Sequence, residues 1–222
     1  MTVVYEDNHV IIVSKNSSEI VQGDKTGDTP LSETVKQYIK EAYAKPGNVF
    51  LGVVHRLDRP VSGLVLFART SKALPRLNAM FANGEVHKKY WAIVKNRPPK
   101  DADVLTHWIV RNEKQNKSYA YDREVPKSKK AVLDYKVIAR SDNYYLLEVN
   151  LHTGRHHQIR CQLAKMGCPI KGDLKYGSPR SNPDCSISLL SRKMEFIHPV
   201  SKKEISVEAP LPNDNLWRSF KI

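Results

Sequence analysis

The chain has 222 residues, of which 41% are hydrophobic, enough for one large domain or two small ones to fold without disulfides or metals. Its 36 lysines and arginines outnumber its 23 aspartates and glutamates, and the resulting net charge of +13 at pH 7 favours a polyanionic partner such as nucleic acid. Three cysteines without a paired framework and an N-terminus without a leader-like apolar run indicate a reduced cytoplasmic protein. No apolar run approaches the roughly 20 residues that span a bilayer, so a membrane protein is excluded.

The first 95 residues alternate between short β-branched runs and segments with helical spacing. Strands are predicted at 2–6, 9–15, 62–70 and 88–94, and helices at 31–44 and 71–85. The second helix is expected to begin near Ser71, a capping residue, and to stop at Asn83-Gly84.

After one stretch without clear periodicity, the rest of the chain again alternates between strand-like and helix-like segments. The section from Asn96 to Lys130 is rich in Pro, Lys and polar residues and shows no periodicity, so we expect an exposed, partly mobile insertion. Strands are then predicted at 131–140, 144–152, 186–199 and 203–210, and helices at 156–166 and 213–220. Neighbouring strands with few helical crossovers indicate an α+β fold, with a mixed, mainly antiparallel central sheet flanked by helices.

The motif His55-Arg56-Leu57-Asp58, followed by Arg59, places one carboxylate among positive side chains directly before an apolar strand. Taken alone, this pattern fits a surface turn in which Asp58 pairs with Arg59. The catalytic loop of kinases has His-Arg-Asp in direct sequence and a G-x-G-x-x-G loop upstream, and the chain lacks both. A kinase is therefore excluded.

A second motif, LHTGRHHQIRCQLAKMGCPIKGDLKYG, spans residues 151–177. His152, His156, His157 and Cys161 invite a metal site, but they lack the spacing of known zinc motifs. The alternative is a helix start that contacts RNA, with the backbone N–H groups of residues 153–155 free for phosphate and Arg160 one turn after His156. Arg160 could equally be a solvated helix charge.

In a third motif, HKKYWAIV, Tyr90 and Trp91 are neighbours in a predicted strand and so point to opposite faces. Tyrosine in a strand is usually a core residue. An aromatic ring beside a basic surface is also what stacking on an unpaired base requires.

Together, HRLDRPVSGLVLFART, KKYWAIV and LHTGRHHQIR…GCPIKGDLKYG closely resemble the RluA family of RNA pseudouridine synthases, and the resemblance runs from VVYEDNHVIIVSK to FIHPV. It implies an enzyme that isomerises particular uridines of ribosomal or transfer RNA to pseudouridine. The reaction breaks the N1–C1′ bond, turns the uracil and joins C5 to C1′, and it uses no metal or other cofactor.

The resemblance also implies the site residues. Asp58 is the nucleophile, Tyr90 stacks on the target base and is a candidate proton acceptor, and Arg160 pairs with Asp58 and keeps it ionised. Arg56 is the candidate for filling the space that the flipped base vacates. The residues assigned to substrate binding lie in or beside the motifs: His55, Arg56, Arg155, His157 and Leu189.

Three departures from the family pattern put substrate details in doubt. The chain has SKNSSEI at 14–20 where members commonly have NKPAG, Gln162 where a second histidine is common, and LLS at 189–191 in place of LHA. We expect one catalytic domain over residues 1–222, without the S4 RNA-binding domain of many relatives. The expected enzyme is a cytoplasmic monomer that acts on a stem-loop of large-subunit rRNA or tRNA, without a membrane or an obligate protein partner.

Two other function classes share part of these features. A non-catalytic RNA-binding module would share the basic surface. An N-glycosidase would share the carboxylate chemistry, but it usually needs a second well-placed acid, and the sequence offers no obvious one near Asp58.

Overall fold

The computed structural model describes residues 1–24 and 26–220 and divides the chain into two compact units. Unit 1 comprises Met1–Val86 and Lys193–Pro210, and unit 2 comprises His87–Arg192 and Leu211–Ile222. Among the described residues, no helix is long and apolar enough to cross a membrane.

Unit 1 is built on antiparallel strands and two helices. Its elements are β1 (Thr2–Glu6), β2 (Val10–Lys15), α1 (Leu31–Ala42), β3 (Gly52–Val53), β4 (Ser62–Ala68), α2 (Ala73–Asn83) and β11 (Glu204–Glu208). β2 lies between β1 and β4, β3 pairs with the end of β4, and β11 pairs with β10 (Leu189–Ile197), a strand whose residues are shared between the units. The apolar residues of β2 and β4 are completely buried and form the core of this unit.

Unit 2 contains a longer antiparallel sheet. Its elements are β5 (His87–Val94), β6 (Ala102–Asn112), β7 (Lys117–Tyr121), β8 (Lys129–Arg140), β9 (Tyr145–Leu151), α3 (Gln158–Lys165), a single 3₁₀ turn (Leu174–Tyr176) and α4 (Asn215–Ser219). The strands follow the order β5-β9-β8-β6-β7. Antiparallel pairing in both units confirms the predicted α+β class.

The section from Asn96 to Lys130, in which the sequence shows no periodicity, contains regular secondary structure. It forms β6 and β7, a hairpin that pairs with β8 from Ala102↔Lys136 to Ile109↔Lys129. The alternation expected of a strand is hidden here because β6 carries apolar side chains on both of its sides, such as Leu105 and Ile109 on one and Trp108 on the other.

One end of α2 agrees with its prediction from the sequence, and the other differs in detail. Gly84 takes the left-handed conformation at the C-terminal end, with φ of 75°, as the Asn83-Gly84 stop predicted. The N-terminal end is capped by a different hydroxyl from the one expected, because Oγ1 of Thr70, not Ser71, accepts a hydrogen bond from Ala73 N at 3.2 Å.

Lys15, at the end of β2, is only 1% exposed and holds the turn that follows Asp58. Its Nζ donates to the carbonyl oxygens of Asn16 at 2.8 Å, Glu19 at 2.8 Å and Arg59 at 3.1 Å. Burial lowers the pKa of Lys15 from 10.5 to about 8, although the negative charges of Glu19 and Asp58 oppose this shift. A buried ammonium therefore supports the backbone next to Asp58.

Lys15 gives a pH-dependent prediction. Since its pKa is lower in the folded chain, the unfolded chain binds more protons between pH 8 and 10.5, and stability rises with pH across that window. The free energy of unfolding of the wild type minus that of Lys15→Met should therefore grow by about 2 kcal/mol or more from pH 7 to pH 10. Urea unfolding of both chains at each pH measures this difference. Lys40→Met, which removes an exposed lysine of α1, is the matched control and should show no comparable growth; a flat difference for Lys15→Met would contradict its titration.

Gly172, which precedes the buried Asp173, gives a prediction for unit 2. It has φ of +89°, and a Cβ there would lie 2.7 Å from the carbonyl oxygen of Ser186. Gly172→Ala should lower the free energy of unfolding by about 3 kcal/mol, from left-handed strain plus backbone overlap. Gly167→Ala has similar φ, +85°, but open space around the Cβ, so it should cost about 1 kcal/mol. Equal losses in urea unfolding would show that the overlap at Gly172 is relieved without cost.

Candidate active site

The site residues predicted from the sequence are divided between the two units, and each group is described within its own unit. Unit 1 holds His55, Arg56 and Asp58, and unit 2 holds Tyr90, Arg155, His157, Arg160 and Leu189.

Asp58 lies on a tight turn between β3 and β4. Val61 N donates to the carbonyl oxygen of Asp58 at 3.0 Å, and the side chain of Leu57, 8% exposed, anchors the approach to the turn. Ser18 N and Lys15 Nζ both donate to the carbonyl oxygen of Arg59. Hydrogen bonds to its backbone therefore fix the turn, while the Asp58 side chain stays partly exposed.

The two arginines beside Asp58 are exposed. Arg59 directs its guanidinium to Asp28, with which it forms an ion pair on the surface.

His55 helps to set the path of the chain into the turn. Its Nε2 accepts a hydrogen bond from Leu66 N at 2.9 Å, replacing a backbone partner at the point where β3 ends. The ring also stacks on Phe81 of α2, with centroids 4.8 Å apart. The contact with Leu66 requires Nε2 to be unprotonated.

Arg160, in the first turn of α3, is held by a buried carboxylate. Its Nε donates to Oδ2 of Asp173 at 2.7 Å and its Nη2 donates to Oδ1 at 2.9 Å. Arg160 is 5% exposed and Asp173 1% exposed. Such a bidentate pair fixes the plane of the guanidinium as well as its position, so Arg160 is not a solvated helix charge.

Tyr176 lies beside this pair, with its ring centroid 5.1 Å from Cζ of Arg160. Its hydroxyl accepts from Ser118 N at 2.8 Å and lies 2.9 Å from Nδ1 of His157. Burial raises the pKa of Tyr176 above its ordinary value, so the phenol stays protonated.

His157 is a neutral part of this cluster. Burial, followed by the positive charge of Arg160, lowers its pKa from 6.5 to about 2. The ring of His156 stacks on it at 3.8 Å, and Nδ1 of His156 lies 2.8 Å from Oγ of Ser118. His157 consequently supplies no positive charge to a phosphate at neutral pH.

The loop before α3 is organised by Gln158. Its Oε1 accepts from Thr153 Oγ1 at 2.7 Å and from Arg155 N at 3.0 Å, and its Nε2 donates to Val132 O at 3.1 Å. Thr153 N also donates to Val132 O, at 3.3 Å. The prediction that the backbone N–H groups of residues 153–155 are free for phosphate is therefore wrong for Thr153 and Arg155.

The side chains of the remaining site residues differ in exposure. Arg155 is exposed, and its Nε donates to Lys130 O at 3.0 Å. Tyr90 is 7% exposed in β5, where it pairs with Val149, and Leu189 is 3% exposed at the start of β10. Trp91 points to the side opposite Tyr90, as predicted, with Cζ of Arg192 4.8 Å from its ring.

The residues considered for a metal are separated by their own partners. Nε2 of His152 lies 2.6 Å from Oδ2 of Asp134, His156 bonds to Ser118, and Sγ of buried Cys161 donates to Gln158 O. Within residues 1–24 and 26–220, no group of three His, Cys, Asp or Glu side chains could hold a metal ion.

Sequence reasoning missed three supporting residues, Lys15, Asp173 and Tyr176. The signals for them were present but weak: a lysine that ends a strand whose first four residues are apolar, and an acid and a tyrosine between glycines in the GDLKYG segment. Unit 1 thus presents a carboxylate on a rigid turn, and unit 2 presents an oriented guanidinium. A fixed carboxylate suits covalent catalysis, and a fixed cation suits charge stabilisation.

Comparisons with known proteins agree on one family. A family model described as RNA pseudouridylate synthase matches residues 9–165. The chain is 32% identical over 236 residues to an uncharacterized RNA pseudouridine synthase of Chlorobaculum parvum, covering 96% of this chain and 72% of the relative. It is 30% identical over 215 residues to ribosomal large subunit pseudouridine synthase C of Vibrio cholerae, covering 94% and 65%.

The solved structure of human RNA pseudouridylate synthase domain containing 4 has the same fold, with a TM-score of 0.82 at 22% identity, over 97% of this chain and 90% of that one. None of these matches favours a non-catalytic RNA-binding module or an N-glycosidase. Since the family model covers most of the chain and the relatives match nearly all of it, the chain belongs to the RNA pseudouridylate synthase family and catalyses the isomerisation of uridine to pseudouridine in RNA.

Proposed function

We propose that the chain modifies a uridine in a compact stem-loop of large-subunit rRNA or tRNA, with Asp58 as the nucleophile. The observation that carries this proposal is the turn of Asp58, whose backbone is held by the buried Lys15 while its carboxylate is partly exposed. A carboxylate in a fixed position loses little freedom on attack, which lowers the barrier.

The chemistry requires a bond to the base or to the sugar. The carboxylate of Asp58 attacks C1′ or C6 of a flipped-out uridine, the N1–C1′ bond breaks, and the uracil turns so that C5 bonds to C1′. The bond to Asp58 breaks when C5 displaces the carboxylate from C1′ or, after attack at C6, when the carboxylate is eliminated from C6 once the new bond has formed. The proton on C5 is then lost and N1 gains one, so no oxidant or cofactor is consumed. Flipping the base costs a few kcal/mol, least in an unpaired loop.

Arg160 and Tyr90 are assigned by the family motifs. We propose that Arg160 pairs with Asp58 and that Tyr90 stacks on the target base and is a candidate proton acceptor. The rigid hold of Asp173 on Arg160 supports its role, because a guanidinium fixed on two nitrogens directs its charge in one orientation.

The residues proposed to bind substrate fall into two groups, one exposed and one half-buried or buried. Arg56 and Arg155 have exposed side chains suited to RNA, and we assign Arg56 to the space that the base vacates. His55, His157 and Leu189 are half-buried or buried, and we assign them to the shape of the base-binding site.

Asp58→Asn should lower the rate of pseudouridine formation by about 10³-fold or more, because an amide does not form the covalent bond. The free energy of unfolding and the RNA affinity should change little, since the substitution is isosteric. Tritium release from RNA with tritium on C5 of uridine measures the rate. The control Asp28→Asn removes an exposed carboxylate of unit 1 and should stay within about twofold of the wild type. Wild-type turnover by Asp58→Asn would remove the nucleophile assignment.

A second prediction concerns the size of the RNA target. The purified chain alone should modify an isolated stem-loop, because an unpaired loop presents a uridine that is already unstacked. The test is tritium release on short hairpins that cover each uridine modified in cells, with light scattering of the same sample to check for a monomer of 25.3 kDa. If every hairpin is inert while the full-length RNA reacts, the compact-target proposal is wrong.

The cellular setting is also a proposal. We propose that the enzyme acts in the cytoplasm, which is supported by the free thiols of Cys161, Cys168 and Cys185.

A further inference from the structure

The outer strands of unit 2, β6 and β7, carry a stripe of aromatic side chains on the side turned away from α3. Helix α3 packs on the other side, where Cys161 contacts Ile109 and Ala131. Because side chains alternate along a strand, Trp108 and Val110 of β6 and Tyr119 and Tyr121 of β7 point away from α3. We call these four residues the aromatic face.

Strand register brings the members of the aromatic face together. Trp108 pairs with Tyr121, and Val110 pairs with Tyr119. Side chains directly opposite one another in an antiparallel pair have Cβ atoms about 5 Å apart, so the four form one continuous surface. Tyr119 is 38% exposed and Tyr121 41% exposed, whereas Trp108 and Val110 are half-buried.

Lysines border the aromatic face on two sides. Nζ of Lys117, in β7, lies at the edge of the sheet, 5.5 Å from the ring centroid of Tyr119 on the aromatic face and 5.3 Å from that of Tyr176 on the α3 side. Lys130, in β8, pairs with Trp108 and so lies on the same side of the sheet. The neighbouring acid, Asp122, alternates to the α3 side, where it lies 3.0 Å from Lys165. The surface therefore combines aromatic rings with positive charge.

We propose that the aromatic face binds an unpaired segment of RNA, with bases stacked on Tyr119 and Tyr121 and phosphates held by Lys117 and Lys130. Proteins that bind single strands combine aromatic platforms with cations, and stacking is tolerant of sequence because every base has a π face. A net charge of +13 favours a polyanion here over an apolar protein surface.

This RNA segment is distinct from the one that carries the target uridine. Tyr90 pairs with Val149, which pairs with Tyr135, and Tyr135 alternates with Leu133 and Ala131 on the α3 side of β8. The aromatic face is therefore on the opposite side of the sheet of unit 2 from Tyr90. The inference rests on RNA being the substrate and assigns this face to flanking sequence.

The edge of the sheet offers a path between the two sides. β7 is at the end of the strand order, and a cavity of about 350 Å³ opens along it. Its lining includes Lys117, Tyr119, Lys165 and Tyr176. A single strand that crosses this edge meets lysines and tyrosines continuously.

The test uses a fluorescein-labelled 12-nucleotide oligoadenylate, which is single-stranded and contains no uridine. The double variant Tyr119→Ala/Tyr121→Ala should bind it about 10-fold or more weakly than the wild type in fluorescence anisotropy. Tyr119→Phe/Tyr121→Phe keeps both rings and should bind within about threefold. Val104→Ala, an exposed residue on the same side of β6 and outside the aromatic face, should leave binding and activity unchanged.

Urea unfolding of each variant checks that the alanine substitutions leave the chain folded. Equal affinity of the double alanine variant and the wild type would overturn the proposal, as would a loss of affinity in the phenylalanine variant equal to that in the alanine variant. A face that serves a protein partner would also leave the RNA affinity unchanged. Because the probe cannot be a substrate, failure of the catalytic assignments would appear in tritium release and not in this measurement.

Discussion

The buried pair of Arg160 and Asp173 is the interaction on which the candidate site residues of unit 2 depend. Both charges are almost fully removed from water, so removing Arg160 would leave the buried Asp173 carboxylate without its bidentate partner, at a cost of about 3 to 5 kcal/mol. Gly172 makes the turn that presents Asp173, and Tyr176 packs beside the guanidinium while it binds His157 and Ser118. These residues therefore form one assembly that fixes the direction of a single positive charge.

In unit 1, Lys15 positions a candidate site residue, as Asp173 does in unit 2, but it does so by hydrogen bonds to the backbone and not by an ion pair. Its ammonium donates to three backbone carbonyls, so it fixes the chain after Asp58 without contributing a surface charge. Positive charge around the motif thus has two forms: exposed arginines, which suit a phosphate backbone, and a buried lysine, which supports the turn. Both forms explain why the His55–Arg59 motif surrounds one acid with cations.

Elements with local signals could be predicted from the sequence, and contacts between distant residues could not. The strands around VIIVSK and SGLVLFA and the Gly84 stop of α2 follow from composition and periodicity, and they are confirmed. The β6–β7 hairpin was missed because its strands carry apolar residues on both sides, as a result of packing that only the folded sheet reveals. The motifs identified Asp58 and Arg160, but the contact of Lys15 with Arg59 joins residues 44 positions apart, and nothing in the local sequence specifies it.

The most direct measurement of the central claim, that this chain forms pseudouridine through Asp58, is a map of pseudouridines in total RNA from cells with and without the gene. The account predicts at least one position that is pseudouridine with the gene and uridine without it. The wild-type gene should restore that position, and a gene encoding Asp58→Asn, expressed at the same level, should leave it as uridine. An unchanged map after deletion, or restoration by the Asp58→Asn gene, would contradict the account.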